Sequence, residues 1–391
     1  AHRDLHSFPT RRSSDLFPSA YQLLGEPDTI RGLLSANQMS VKQKEMYAKG
    51  ITPVESRAAF SLAGIYSLRM MGLFLILPVF ALYAQHLIGV TPLLVGLAIG
   101  AYGLTQALLQ IPFGMLSDHI GRKPVIIAGL LIFALGSAVA AQADTIWGVI
   151  IGRAIQGSGA IAAAVMALAA DLTQEHNRLK VMAVIGMSIG MAFALSLILG
   201  PIINLWIGVP GIFWLTAVLA LAGVVIAVFL VPDPKRSVFH RDTEAVPGQF
   251  GRVLADLDLL RLNLGILVLH MGLTSVFLVL PLALRDTAGL DTAHHWKIYF
   301  PVLMLSVLLM VPFVVAAESR RKLKQVFLLS ITIMMVAEFA FYIFFQSLWG
   351  LALALLLYFT AFNVLEATLP SLVAKRSEER RVGKECRSRW P

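Results

Sequence analysis

Fifty-two consecutive residues, Val181 to Pro232, carry no charged side chain. The hydrocarbon core of a bilayer takes roughly 20 apolar residues per helix. The run is too long for one crossing and long enough for two. Gly208-Val209-Pro210-Gly211 at its middle supplies helix-breaking residues for a hairpin. The same measure gives ten spans, at 58–84, 91–115, 124–143, 146–170, 180–206, 209–231, 260–284, 296–317, 325–345 and 348–372. Thr91-Pro92, Gly121 to Pro124 and Asp144 are among the turns between them. The chain is 57% hydrophobic and 14% charged, with a mean hydropathy of +0.76. Soluble domains are about 45–50% apolar and about 25% charged, so the expected class is an all-α membrane protein.

Lys and Arg accumulate in cytoplasmic loops, which sets the orientation. With the N-terminus cytoplasmic, the inner loops hold thirteen basic residues: Arg122 and Lys123, Arg178 and Lys180, five from Lys235 to Arg261, and four from Arg320 to Lys324. The outer loops hold two, Arg285 and Lys297. Trp147, Trp206, Trp214, Trp296 and Trp349 all fall at outer ends of spans, where indole rings favour the interface.

Both termini stand apart. Residues 6–16 and 376–386 can be encoded by the two complementary strands of one short DNA string. Residues 1–16 and 376–391 are therefore read as adapter-like sequence and left out of the fold. Residues 17–57 are an upstream and cytoplasmic segment, with the native start expected at Met39. The one cysteine, Cys386, lies in the excluded tail, which also carries six Lys/Arg against three Asp/Glu. Disulfide, thiol and Cys-metal chemistry are not expected, nor is nucleic-acid binding by a basic tail.

Residues 58–231 make a six-helix N-terminal bundle, 232–259 a cytoplasmic linker, and 260–375 a partial bundle of four helices. The halves are related. Ile111-Pro112-Phe113 recurs as Val311-Pro312-Phe313, and in the same register Asp118 becomes Glu318 and Arg122 becomes Lys322. Gly72-Leu73 ahead of Leu77-Pro78 is echoed by Gly272-Leu273 ahead of Leu280-Pro281. A parallel pseudo-repeat of six-helix halves is one transporter architecture, so two further helices are expected beyond Lys375.

Three motifs carry a family resemblance. Gly114, Leu116, Asp118, Gly121, Arg122 and Lys123 fall in a loop between the second and third spans. Arg153, Gln156, Gly157 and Gly159 lie on the fourth, and Gly200-Pro201 near the end of the fifth. With these the chain resembles a major facilitator superfamily transporter. Leu68-Arg69-Met70, Glu366-Ala367 and Leu369-Pro370-Ser371-Leu372 resemble the YajR-type efflux branch of bacterial inner membranes. Drug–proton antiporters of the family usually place two glycines after Gly-Pro, whereas Ile202 and Ile203 follow here, so that signature is half present.

The resemblance implies a multi-pass inner-membrane protein, working as a monomer without a cofactor. It would exchange small molecules for protons by alternating access in the lipid bilayer. A metabolite or sugar facilitator or symporter of the same family is the alternative, and a non-transporting assembly or sensor protein the rival from another class. The resemblance makes the loop motif a gate: Asp118 accepts from the N-terminus of an eleventh helix, and Arg122 pairs with Asp171. Gly114 permits a close helix crossing and Gly121 a turn. A bare topology anchor would need the basic residues alone.

Family helices one, four, seven and ten line the central cavity, which puts Arg69, Arg153, His270 and Glu366 in one polar site. An arginine at membrane depth costs at least about 2.5–3.5 kcal/mol, so Arg153 should face an interior or a wet cavity. Proton-coupled charge balance and a buried structural pair both fit it. A carboxyl taken out of water keeps its proton to higher pH, and histidine as a residue type changes charge near neutrality. Glu366 and His270 are thus the candidate proton carriers. The plainer alternatives are a gate ion pair for Glu366 and a satisfied interior histidine for His270. Glu338 lies on a peripheral helix and is read as structural. No GxxxxGK[ST], HExxH, GxSxG or clustered metal ligands occur, so neither an enzyme nor a metal site is expected.

Overall fold

The computed structural model describes residues 50–233, 255–319 and 322–388; side chains of 318–319, 370–371 and 374–388 fall outside the described set. The helices are α1 (Pro53–Leu75), α2 (Leu77–Ala84), α3 (Pro92–Ile120), α4 (Arg122–Ala141), α5 (Ile146–Ser158), α6 (Ala162–Asp171) and α7 (Glu175–Phe229). Then come α8 (Leu257–Asp286), α9 (Trp296–Ser319), α10 (Leu323–Ile343) and α11 (Leu348–Ser388). Among the described residues nine helical stretches are long and apolar enough to cross a membrane. One of them, α7, is two limbs broken at Gly208, where φ is 65° and ψ 178°. L side chains rarely adopt that backbone, and Pro210 pre-sets the start of the second limb. Ten crossings result.

Two spans are interrupted, each for a local reason. Pro78 offers no N–H to the Phe74 carbonyl, and the first span breaks at Ile76 between α1 and α2. Gly200 packs against that break: a Cβ there would stand 2.5 Å from the Leu75 carbonyl oxygen and 2.9 Å from the Pro78 ring. The fourth span unwinds over 159–161, between α5 and α6.

The loop motif departs from its expected tight turn. Helix α3 continues to Ile120 and α4 begins at Arg122, so the turn contracts to Gly121, at φ 99°. Gly114 to Ile120 contain no residue that must leave the helix, and Ser117 bonds back to the Gly114 carbonyl at 2.7 Å. Only Gly121 reaches positive φ cheaply. Pro124 falls in the first turn of α4, where its missing N–H costs nothing.

In the N-terminal bundle the second limb of α7 fills the space beside α1. Thr216 donates to the Gly72 carbonyl at 3.1 Å. Gly272, the repeat partner of Gly72, instead borders an open groove of about 840 Å³. Met334, Glu338, Tyr358 and Leu369 also line it. Glu338 is thus placed on a groove wall, away from the cleft described below.

Helix α8 begins at Leu257, capped by Asp256, three residues earlier than the expected span. Residues 1–49, and with them the adapter-like segment 1–16 and Met39, lie outside the described residues. So do Lys235, Arg236, Arg241 and Arg252 of the linker, Arg320 and Arg321, and the side chains of Glu318, Pro370 and Ser371. The backbone of 376–388 continues α11, whose apolar part is Leu348–Leu369.

A Cβ on Gly157 would fall inside the Tyr102 carbonyl and the Thr105 hydroxyl, whereas one on Gly186 would meet nothing within 4 Å. Gly157→Ala is expected to lower stability by about 1–3 kcal/mol through overpacking. Gly186→Ala should be neutral or stabilising by up to about 1 kcal/mol from helix propensity. Thermal unfolding of the purified variants checks this, and equal melting temperatures would contradict the packing described.

Candidate functional site

At one end of the N-terminal bundle, Arg122 joins three elements. Its Nη1 donates to the Asp118 carboxylate at the end of α3 and, at 2.8 Å, to the Ser117 hydroxyl. Its Nε donates to Asp171 Oδ2 at the end of α6, at 3.4 Å. The Arg122 and Asp171 side chains are 3% and 1% exposed; Asp118 is 27% exposed. Lys123 donates to the Val231 carbonyl at 3.0 Å and to Asp233 at 2.8 Å, tying the second limb of α7 to the loop. A Cβ on Gly114 would stand 3.2 Å from Ala163, so α3 and α6 cross closely there.

The same end holds two ties that the sequence did not single out. Buried Glu55 accepts from the Gln174 backbone at 2.8 Å and from Asn177 at 3.1 Å, at the start of α7. Arg57 donates to the Phe229 and Leu230 carbonyls, at 3.0 and 2.8 Å, where α7 ends. Both follow the helix dipole, which favours an anion at the N-terminus and a cation at the C-terminus.

A polar network fills the middle of the bundle. Arg69 on α1 is fully buried; it donates to Gln106 Oε1 at 2.9 Å and to the Gly159 carbonyl at 3.1 Å. The Gly159 carbonyl is available because the fourth span unwinds there. Tyr102 donates to the same Gln106 oxygen at 2.5 Å. Arg153, 4% exposed, donates to Gln156 at 2.9 Å and to the Ala98 carbonyl at 3.4 Å. Gln156 passes the chain on to Ser137 at 2.7 Å. The Arg69 and Arg153 guanidinium carbons lie 5.8 and 5.0 Å from the Tyr102 ring centre, and Arg69 lies 5.3 Å from that of Phe133. A desolvated cation–π contact is worth about 2 kcal/mol, less than burying a guanidinium costs.

Between the two bundles stands an aromatic cluster. Phe193 of α7 meets Phe277 of α8 at 6.5 Å and Phe359 of α11 at 6.1 Å, while Phe74 of α1 packs on its edge at 5.0 Å. Farther toward the end opposite the Gly121 turn, Arg285 donates to Gln85 at 2.8 Å. The bundles therefore touch from mid-depth to that end. His270 lies seven residues from Phe277, and Glu366 seven from Phe359, both toward the Gly121 end. A seven-residue step keeps the same helix face, so both look across at the N-terminal bundle beyond the aromatic cluster. They meet there at 3.6 Å, with 49% and 47% of their side chains exposed. The His270 ring also lies 6.0 Å from Phe362.

The four candidate cavity residues do not form one site. Arg69 and Arg153 are sealed inside the N-terminal bundle, and only His270 and Glu366 face the cleft. The desolvated carboxyl expected at Glu366 is also not found: packing leaves it half exposed, with a histidine beside it. The sequence missed Tyr102, Gln106 and Ser137. Their signal was available: polar side chains in the middle of apolar spans need partners. Gln156, Gly157, Gly159, Gly200 and Pro201 sit at the two span breaks and their crossings, where small residues let backbones approach.

The Major Facilitator Superfamily profile matches residues 62–384. The chain is 49% identical over 327 residues to the inner membrane transport protein YajR of Escherichia coli K12, covering 84% of this chain and 72% of that one. It is 28% identical over 277 residues to the multidrug resistance protein MdtH of Yersinia enterocolitica, covering 69% and 67%. Its fold is similar to that of a bacterial homologue of the human lysosomal transporter Spinster, solved inward-facing. That match has a TM-score of 0.62 at 13% identity, over 83% of this chain and 79% of that one. The helices, the loop motif and these relatives agree: the chain belongs to the major facilitator superfamily of membrane transporters.

Proposed function

We propose that the protein is a secondary active transporter of the bacterial inner membrane that exports small molecules in exchange for protons by alternating access. The observation that carries this reading is the His270–Glu366 pair, 3.6 Å apart and half exposed on facing helices of the cleft. A carboxylate and an imidazole in contact can pass a proton between them, and a proton on Glu366 removes the charge from its contact with His270, while apolar packing still holds α11 to α8. The names of the relatives support the class: one is an inner membrane transport protein and another a multidrug resistance protein. The half-present glycine signature, Gly200-Pro201-Ile202-Ile203, favours the second reading, a metabolite facilitator or symporter.

In this reading the basic loops place the Gly121 end in the cytoplasm, so the aromatic cluster closes the outer side and the cleft opens inward. Arg122, Asp118 and Asp171, with Lys123 beside them, form the inner gate's latch. Gly114 and Gly121 give it a close crossing and a tight turn. Asp118, the most exposed of the three, is the member that engages the opposite bundle when that side closes. Arg69 and Arg153 hold positive charge inside the N-terminal bundle at the depth of the proton carriers.

Two outcomes test the reading. In proteoliposomes with an imposed pH gradient, a panel of cationic, neutral and anionic amphipathic dyes should include one that accumulates. Glu366→Gln should abolish that accumulation yet keep downhill exchange of the same dye. Accumulation unchanged in Glu366→Gln would overturn the coupling. For the latch, Arg122→Ala should lower stability by about 3–5 kcal/mol, because the buried Asp171 carboxylate loses its guanidinium. Arg122→Ala with Asp171→Asn should recover part of that loss in an unfolding titration. Strictly additive effects would contradict the pairing.

A further inference from the structure

The bond from Arg285 to Gln85 marks the end at which the bundles touch, and a second polar group is buried in that contact. A short 3-10 turn, Thr292–His294, leads into α9. It packs on α8 and α9 of its own bundle and also on α7 of the other. His295 follows the turn, and its side chain is fully buried. Its ring stands edge-on to that of Tyr299, with centres 6.1 Å apart. Tyr299 is fully buried as well, in the apolar cluster that joins Leu280 of α8 to Leu197 of α7. The His295 ring is thus sealed where the two bundles meet.

One nitrogen of that ring is served and the other is not. Nε2 lies 3.1 Å from the Leu290 carbonyl, which can only accept, so this nitrogen carries a hydrogen. In the neutral ring Nδ1 is then an acceptor, and it is buried with no hydrogen-bond partner. A proton added there would create a buried donor with no acceptor, and a charge with no counter-ion. Both are costly away from water. The charged groups around the ring are already engaged. Asp291 and His294 of the turn face each other at 3.8 Å, and Arg285 of α8 holds Asp286. Asp291 favours a charged ring at a distance and Arg285 opposes it. Lys297 of α9 is exposed, Tyr299 is the titratable group facing the ring from that helix, and residues 181–229 of α7 carry no charge. Among the described residues no carboxylate pairs with His295.

We infer that His295 is a proton sensor of the outer contact: the contact accepts only the neutral ring, so a proton taken up there from the outer water holds it open. Parting of the bundles hydrates Nδ1, and a hydrated imidazole changes charge near neutrality. Above about pH 6.5, the ordinary histidine value, the ring is neutral in both states and closure is unopposed. Below it, closure must expel a proton, so the open-to-closed ratio rises by up to about tenfold per pH unit. The inference deepens the transporter reading and rests on it for which end is outer. Acid outside then favours the state from which exported cargo leaves. A distance measurement needs neither transport nor a substrate, so failure of one can be told from failure of the other.

The test is a pulsed electron resonance distance across the outer end, on the full chain in lipid nanodiscs with Cys386→Ser. Spin labels go at Gln142, exposed just after α4, and at Gln346, exposed just before α11. In the parent a short distance should dominate near about pH 8 and give way to a longer one near about pH 5. His295→Gln, neutral throughout that range, should lose most of the shift and stay short. Should that variant lack the short distance at the alkaline end, His295→Met and His295→Arg decide. The neutral thioether should close at both ends of the range, and the permanent cation should stay open at both. An equal shift in the parent and His295→Gln would overturn the proposal, as would a parent that does not shift or a His295→Arg chain that closes.

Discussion

The hydrogen bond from Arg69 to the Gly159 carbonyl, 3.1 Å across the N-terminal bundle, shows the constraint under which the structure is built. Inside a bilayer no water satisfies a stray polar group, so each one must find a partner within the protein. A carbonyl inside a helix already accepts one bond, so it serves a guanidinium less well, as the 3.4 Å from Arg153 to the Ala98 carbonyl shows. The fourth span releases one by unwinding over 159–161, and the arginine of the first span takes it. Gly157 and Gly159 make the exchange possible, since a side chain on either would collide with the facing backbone. The Tyr102 ring, held by Gln106, then lies beside both arginines. Small residues, a broken helix and two buried cations are therefore one arrangement.

The molecule divides its polar chemistry by depth. At the Gly121 end, charges are paired or capped: Arg122 with Asp118 and Asp171, Lys123 with Asp233, Glu55 and Arg57 at the two ends of α7. At mid-depth the N-terminal bundle carries only positive charge, and the C-terminal bundle carries His270 and Glu366 in contact. Beyond them, Phe74, Phe193, Phe277 and Phe359, with aliphatic residues such as Leu77, Leu197 and Leu280 beside them, close the space between the bundles. At that end the one side-chain hydrogen bond shown between the bundles is Arg285 to Gln85, and the rest of the contact is apolar packing.

Much of the fold could be read from the residues. The 52-residue uncharged run does fold back at Gly208, because only glycine takes that backbone and a proline follows two residues on. Ten crossings follow from apolar length alone. The extent of the loop motif is not legible in the residues, because charge marks a membrane boundary and not a helix end. Asp118 and Arg122 leave the apolar core while the backbone stays helical on either side of Gly121. Site residues were legible one at a time as ionisable groups at membrane depth. Their grouping was not, since which face of a helix looks into the cleft depends on packing. The stripe joining His270 to Phe277 gains its meaning only from Phe193, some eighty residues away. Gln106 and Tyr102 went unnoticed because neither carries charge, although their hydrogen bonds decide what Arg69 can do.

Among the described residues the two bundles meet from the aromatic cluster to the Gln85–Arg285 end, and the proposed alternating access requires that contact to open as the Gly121 end closes. Cys386 is the one cysteine of the chain, so a Cys386→Ser background accepts site-specific spin labels cleanly. Pulsed electron resonance would report one distance between labels at Ile88 and Asp291, near the closed end, and another between labels at Ile120 and Lys324, near the open one. Two populations are expected at each pair, with weights that shift in opposite directions between acidic and alkaline buffer: as one end opens, the other closes. A single unchanging distance at both pairs across that range, or both ends opening together, would contradict it.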